Sequence, residues 1–440
     1  MLSKIKETIS RIDELNKTKP IKVISHYDTD GITSAAIFSL ALKRWNKKFS
    51  LKIVRGLDET VIKNLPENEV LIFLDLASGS LNYLKERKTE VFIFDHHELA
   101  QDIPTNVMMI NPLLDNQTQE KISSAAICYL FAKALSPENK DLANFAVIGM
   151  VGDMLEKNIG KIYGEILADA ETTVKKGLLL YPSTRALDRV LEYSSNPYIP
   201  GVTGSYKGAL ELLRDSGITN ENGKFKALYE LTEEEMGNLT TAIMLRCVGQ
   251  KKVHEMIGNI YLINLFNKLE DAREISALTN ACSRMDCPQI SLGFFIQNKK
   301  FREDAEKKYR EYRQHLVSAL KYVSETEKIS GKNYAIINAK GNIKDTIIGT
   351  VASIISHSPV YSEGTVIVAL AYNEDKIKVS ARIVGKEGKN VREVLSRVVL
   401  PLGGEVGGHP NAAGCLIAKE NENKFISELQ KILEIELVKV

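Results

Sequence analysis

The stretch IKVISHYDTDGITSAAIFSLALKRW, residues 21–45, decides the fold. Its start, IKVISHYD (21–28), is a near-continuous apolar run, the pattern of a strand covered on both faces. Its end, ITSAAIFSLALKRW (32–45), reads as a helix. Between them stand His26, Asp28 and Asp30, followed by Gly31. A strand that passes into a helix through a short acidic turn is half of a βαβ unit and implies a parallel sheet.

The pattern repeats outward from that stretch. EVLIFLD (69–75) and EVFIFDH (90–96) are two more apolar runs. SSAAICYLFAKAL (123–135), with Ser123 or Ser124 as its cap, and DLANFAVIGMVGDM (141–154) read as helices. Residues 1–160 therefore form a mostly parallel α/β domain. From 161 to 330 the pattern turns helical, with GALELLRD, EEEMGNLTTAIMLRCVG and FREDAEKKYREYRQHLVSALKYVSE (301–325). The last is rich in strong helix formers and i, i+4 charge pairs, as in a solvated connecting helix. From 331 to 440, NYAIINAK, GTVIVALAY and KIKVSARIV read as strands, and IGTVASIISH and FISELQKILEIEL (425–437) as helices. The fold class is α/β and two-lobed: a parallel-sheet domain, a helical middle region and a smaller C-terminal α/β domain.

Bulk properties set bounds. A net charge of +2 over 440 residues neither requires nor excludes nucleic acid, so any basic binding surface must be local. The N-terminal segment has no apolar core of the secretory kind, and no run is long enough to span a bilayer, so no membrane partner is expected. Five scattered cysteines suit a reducing, cytoplasmic compartment. Cys282 and Cys287 lack the second pair that a zinc site needs. GVTGSYKG (201–208) fails the spacing of a phosphate-binding Walker loop.

The acids and histidines fall in one pattern. His26, Asp28 and Asp30 follow the first apolar run, Asp75 ends the second, and Asp95, His96 and His97 end the third. Asp153 ends a helix. The C-terminal ends of strands in an open parallel sheet share one edge, with the ligand crevice just outside it. Five carboxylates gathered there would resist ionising together. Divalent cations remove that conflict, and mixed carboxylate and imidazole donors suit Mn²⁺, with Mg²⁺, Co²⁺ or Zn²⁺ as alternatives. Two cations roughly 3.5–4 Å apart form a clamp for in-line displacement at phosphorus. A lone DxDG or HH is an ordinary turn; the joint occurrence of these groups at successive strand ends is the signal.

A second pattern lies near the C-terminus. LGGEVGGHPNAAGC (402–415) contains Gly407, Gly408 and His409, a loop whose backbone can approach an anion closely. Upstream, Lys376, Lys378, Arg382, Lys386, Lys389, Arg392 and Arg397 form a locally basic segment. Arg382 alternates with Ser380 and Lys378 on one strand face, where it can meet a phosphate.

Together HYDTDG, an Asp after an apolar strand, DHH, a later GD and GGHPNAAG resemble the DHH phosphoesterase superfamily with its C-terminal DHHA1 domain. The resemblance covers roughly residues 20–160 and 330–440. LEDAREISALTNACSRMDCP (269–288) is similar to a segment of archaeal RecJ-like proteins, relatives of RecJ nuclease and of Cdc45. The resemblance implies roles. Asp28 ligates one metal, Asp30, His96 and Asp153 the other, and Asp75 bridges both. Asp95 and His97 support the site or face substrate. Ser380, Arg382, Gly407, Gly408 and His409 hold substrate phosphate. His26 is grouped with the substrate contacts, its role as a ligand open. The implied activity is an exonuclease that uses two divalent ions, Mn²⁺ first, to activate water and release mononucleotides from an end of single-stranded DNA or RNA, in archaeal DNA repair or replication. Alternatives are an oligoribonuclease or cyclic-dinucleotide phosphodiesterase, and a Cdc45-type replisome scaffold that binds GINS or the replicative helicase. Polarity, DNA or RNA preference and oligomeric state stay open.

Overall fold

The chain begins with helix α1 (Leu2–Asn16), then β1 (Ile21–His26), α2 (Thr29–Arg44), β2 (Phe49–Val54), α3 (Glu59–Lys63), β3 (Val70–Leu74), β4 (Val91–Phe94) and β5 (Val107–Ile110). Helices α4 (Ser124–Leu135) and α5 (Ala143–Gly152) complete this part. The five strands form one sheet in the order β2-β1-β3-β4-β5, and every pairing is parallel. The order reverses between β1 and β3, so the switch point lies where Asp28 and Asp75 leave their strands. The structure is a computed structural model and describes residues 1–115, 120–194, 197–220, 222–248, 256–296, 298–358, 360–385 and 387–434. Lys386 and positions 435–437 of the expected last helix lie outside the described residues.

Burial explains the apolar runs. β3 and β4 are buried at every position. Ile72, Leu74, Phe92 and Phe94 face a core built with α1, α2, α4 and α5, while Leu71, Phe73, Val91 and Ile93 face a second core with Ile62, Leu81 and Leu84. Each strand thus buries both faces, as its unbroken hydrophobicity requires. Phe38, Phe94 and Phe131 pack ring against ring at 4.8–5.1 Å between α2, the sheet and α4.

The middle is helical: α6 (Lys161–Asp169), α7 (Leu187–Glu192), α8 (Tyr206–Asp215) and α9 (Glu233–Arg246), later α10 (Ala272–Arg284), α11 (Pro288–Phe295) and α12 (Lys299–Glu325). It also carries an antiparallel sheet, β6 (Thr173–Leu178), β7 (Ile257–Leu265) and β8 (Lys268–Asp271), in that order, which the apolar pattern does not announce. β6 is TVKKGL, half-exposed and without a continuous apolar face.

Two compact units emerge, Met1–Tyr309 and Arg310–Val440. The second holds β9 (Ile329–Gly331), β10 (Tyr334–Asn338), α13 (Asp345–His357), β11 (Val366–Asn373), β12 (Lys376–Ile383), α14 (Val391–Val399), β13 (Val406–His409), β14 (Ala412–Ala418) and α15 (Glu422–Glu434). Its sheet runs β13-β14-β12-β11-β10-β9. Ile377, Val379, Ala381 and Ile383 of β12 pack on one face against α14 and α15. No helix among the described residues is long and apolar enough to cross a membrane.

Candidate metal centre

Asp28 lies two residues past β1 and N-caps α2: its Oδ1 accepts the N–H of Gly31 at 3.0 Å. A helix start leaves its first N–H groups unpaired, and a short acid is the usual remedy. Gly31 is required here, because a Cβ would stand 2.4 Å from the carbonyl oxygen of His26. The cap directs Asp28 Oδ2 toward His26 Nδ1, 3.1 Å away. His26 Nδ1 also lies 3.3 Å from Asp75 Oδ2. Asp75 follows β3 with φ +59°, a left-handed conformation that costs an aspartate strain and is typical of functional sites. Its N–H still donates to Phe94 O at 2.9 Å, which holds it at the sheet edge.

Asp30 is fully buried in the first turn of α2. The start of α4 turns two N–H groups on it: Ser124 N donates to Oδ2 at 2.7 Å and Ala125 N to Oδ1 at 3.0 Å. Ser123 caps α4 through Ala126 N, and the hydroxyl of Ser124 donates to Asp75 Oδ1 at 3.0 Å. His96 Nε2 faces Asp153 Oδ2 at 3.2 Å, Asp75 Oδ1 at 3.5 Å and Asp30 Oδ2 at 3.9 Å. Asp95 is turned away from this cluster. It accepts from the hydroxyl and N–H of Ser78, and from His97 Nδ1 at 2.7 Å.

The donors sort into overlapping sets. His26, Asp28 and Asp75 form one, and Asp30, His96 and Asp153 another; Asp75 also joins His96 and His97. Within each set the donor atoms lie within 4.8 Å of one another. Burial raises the pKa of Asp75 well above the carboxylate range, and the charges of Asp28 and Asp30 add to it. Burial likewise raises Asp153, with the charges of Asp30, Asp75 and Asp28. Burial opposes ionisation of Asp28, but the charge and hydrogen bond of His26 outweigh it and hold the pKa down. Burial opposes the charge on His26, yet Asp28 and Asp75 push its pKa well up. Asp153 Oδ2 is buried with no hydrogen-bond partner. Four crowded carboxylates, of which Asp30 and Asp75 are buried, and two imidazoles fit a divalent cation, which would offset the repulsion that protonation otherwise relieves.

The structure brings His26 into the cluster beside Asp28 and Asp75. It also adds Ser78 and Ser124, which the sequence reading missed; the doubled serine at the start of α4 was the available signal for the second.

In the second unit, pairing aligns β12, β14 and β13 into rows. Arg382, Ala412 and His409 form one row, and Ser380, Gly414 and Gly407 the next. Gly408, at φ +114°, pairs with Ala413 in the alternate row. Arg382 donates from Nε to Ser353 Oγ at 2.9 Å and from Nη1 to Ala381 O at 2.8 Å. The expected basic segment is divided. Lys376, Lys378 and Arg382 alternate on β12, whereas Lys389 donates to Ile432 O and Leu433 O at the end of α15. Arg392 and Arg397 ride on α14, which packs against the other face of the sheet.

Family models match in succession: the DHH family N-terminal domain over residues 20–150, the DHH-CID domain over 180–260 and the DHHA1 domain over 331–434. An uncharacterized protein of Methanocaldococcus jannaschii is 28% identical over 98% of this chain and 99% of its own. The single-stranded-DNA-specific exonuclease RecJ of Bacillus subtilis is 22% identical over 98% of this chain and 48% of its own. The chain therefore spans about half the length of that relative. Among solved structures, exonuclease RecJ bound to manganese superposes with a TM-score of 0.61 at 16% identity, covering 98% of this chain and 95% of the other. CDC45 from Entamoeba histolytica superposes with a TM-score of 0.66 at 13% identity, covering 99% of both. At such identities the likeness is one of fold. The DHH, DHH-CID and DHHA1 matches follow one another along this chain, which belongs to the DHH family and has a RecJ-like fold.

Proposed function

We propose that this protein is a divalent-metal-dependent phosphodiesterase that removes mononucleotides from an end of single-stranded DNA or RNA. The observation that carries the reading is the chain of overlapping donor sets, in which Asp75 links His26 and Asp28 to His96, and His96 is shared with Asp30 and Asp153. His26, Asp28 and Asp75 would hold one cation, and Asp30, Asp75, His96 and Asp153 a second. Cations bound there, Mn²⁺ first, supply Lewis-acid activation of water and charge neutralisation at phosphorus. His97 contributes from the protein side. The hydrogen bond from its Nδ1 to Asp95 raises the pKa of this half-exposed ring, so that the protonated ring can donate from Nε2 to a phosphate oxygen. Ser380, Arg382, Gly407, Gly408 and His409 would hold phosphates of the strand, with Arg382 braced by Ser353. The names of the RecJ relatives, single-stranded-DNA-specific exonucleases, support the substrate class.

The test is degradation of end-labelled DNA and RNA of about 5 and about 30 nucleotides, since a longer strand engages more phosphates. Wild type in Mn²⁺ is expected to shorten the long strand stepwise from one end, and Asp75→Ala to leave it intact. Cleavage of the short strands alone would replace the reading with an oligoribonuclease. A second reading, a scaffold for GINS or a helicase, is favoured by the likeness to CDC45 over 99% of both chains. Strand binding without cleavage would favour it and overturn the catalytic reading.

A further inference from the structure

We propose that Asn280 positions the metal-binding turn Asp28–Thr29–Asp30 by holding the Thr29 peptide, an inference that rests on the reading of this cluster as a divalent-cation site. Thr29 is the first residue of α2, so its N–H has no partner within the helix. Asp28 cannot serve it, because the cap bond goes to Gly31. Asn280 supplies the acceptor from α10, 251 residues away in sequence: Thr29 N donates to Asn280 Oδ1 at 3.2 Å. One turn earlier on the same face, Ser276 O accepts the Thr29 hydroxyl at 3.0 Å, and Ser276 Oγ donates to that hydroxyl at 3.3 Å.

Thr29 is buried and stands between two carboxylates of different donor sets. A rotation of its peptide would turn Asp28 away from His26, or Asp30 away from the start of α4. The same α10 contact reaches the third acid. Gly152 precedes Asp153, and a Cβ there would stand 2.8 Å from Thr29 Cβ and 3.6 Å from Ser276 Oγ. Asparagine is a poor choice for the interior of a helix, where its amide competes with the backbone. At 280 the amide has a specific acceptor task.

α10 is itself fixed by the middle region. Asp271 N-caps it through Arg273 N at 2.9 Å, and the other oxygen of Asp271 accepts Ser183 N at 2.8 Å. Glu274 pairs with Arg185. The segment before α7 thereby sets the place of α10, and α10 sets the turn. Groups that hold metal ligands in place commonly govern metal affinity about ten- to a hundredfold.

The experiment is a calorimetric titration of the metal-stripped full chain with Mn²⁺ alone, beside melting curves with and without Mn²⁺. Asn280→Leu is expected to bind Mn²⁺ about ten- to a hundredfold more weakly, and to lose most of the Mn²⁺-induced rise in melting temperature, while its metal-free melting temperature moves little. Asn280→Asp keeps the Oδ acceptor and is expected to restore binding to within about threefold of wild type. If the leucine variant does not fold, Asn280→Ala takes its place in the same comparison. Wild-type affinity in the leucine or alanine variant overturns the role of Asn280 and leaves the metal reading standing. Failure of Asn280→Asp to restore binding overturns the acceptor role. A wild-type chain that binds no Mn²⁺ overturns both readings.

Discussion

Nδ1 of His97 lies 2.7 Å from Oδ1 of Asp95, and the same oxygen accepts the backbone N–H groups of His96 at 2.8 Å and His97 at 3.3 Å. Burial opposes the charge on Asp95, but the hydrogen bonds from His97 and Ser78 outweigh it and hold its pKa below the usual range. One buried carboxylate thus sets both the direction and the proton of the His97 ring. Asp95→Asn is isosteric but cannot fix that proton. Turnover is expected to fall about 10- to 100-fold while Mn²⁺ affinity changes less than threefold, since Asp95 belongs to no donor set. Steady-state kinetics beside calorimetry would decide it, and equal loss in both would remove the distinction.

Asp75 carries opposing demands. Its left-handed backbone and its place beside Asp28 and Asp30 cost stability in the metal-free chain, and both are consequences of serving two donor sets. Asparagine tolerates that backbone conformation and bears no charge. Asp75→Asn is therefore expected to raise the melting temperature of the metal-free protein by about 1–3 °C, to abolish the Mn²⁺-induced increment and to reduce turnover at least about 1000-fold. A lower metal-free melting temperature would show that the site stores no such cost.

The sequence revealed these acids for a physical reason. In a parallel sheet every strand delivers its last residue to the same edge, so Asp28, Asp75 and His96 could be grouped without coordinates. The pairing of His26 with Asp75 depends on the β1–β3 register and on the turn of Asp75, which no local pattern encodes. Likewise the grip of α10 on Thr29 is a contact between distant segments, and Asn280 reads locally as one polar residue in a helix. The β6–β7–β8 sheet was hidden because β6 presents two lysines and a glycine. Lys389 looked like part of a basic surface, but its distance to the end of α15 is a tertiary fact.

Asp169 tests the electrostatics of the scaffold apart from the metals. It ends α6, accepts from Tyr129 Oη at 2.7 Å and pairs with Lys133, so it ties α6 to α4. Burial raises its pKa, but Lys133 and Tyr129 outweigh that and hold it below the ordinary value. A carboxylate whose folded pKa is depressed stabilises the fold above its unfolded pKa, and that stability is lost as pH falls through the folded pKa. Asp169→Asn is expected to cost about 1–2 kcal/mol at neutral pH. Its deficit relative to wild type should shrink steadily below about pH 4. Urea melts of metal-free protein at several pH values would measure this, and a deficit that is constant down to acid pH would rule out the ionised carboxylate as its source.

Arg382 separates strand binding from metal binding. Its guanidinium is braced through Nε by Ser353 and lies in the row of Ala412 and His409. A braced, planar fork suits a phosphate, and lysine cannot reproduce both the brace and the fork. Arg382→Ala is expected to weaken binding of a single strand about tenfold and to lower the slope of log affinity against log salt by about one, the signature of one lost phosphate contact, whereas Arg382→Lys, which keeps the charge but not the fork, is expected to lose affinity with a smaller change of slope. Mn²⁺ affinity should be unchanged, because Arg382 belongs to the second unit and to none of the donor sets. An unchanged salt slope, with affinity lost in both variants, would mean that Arg382 supports the β12–β14 sheet and does not meet phosphate.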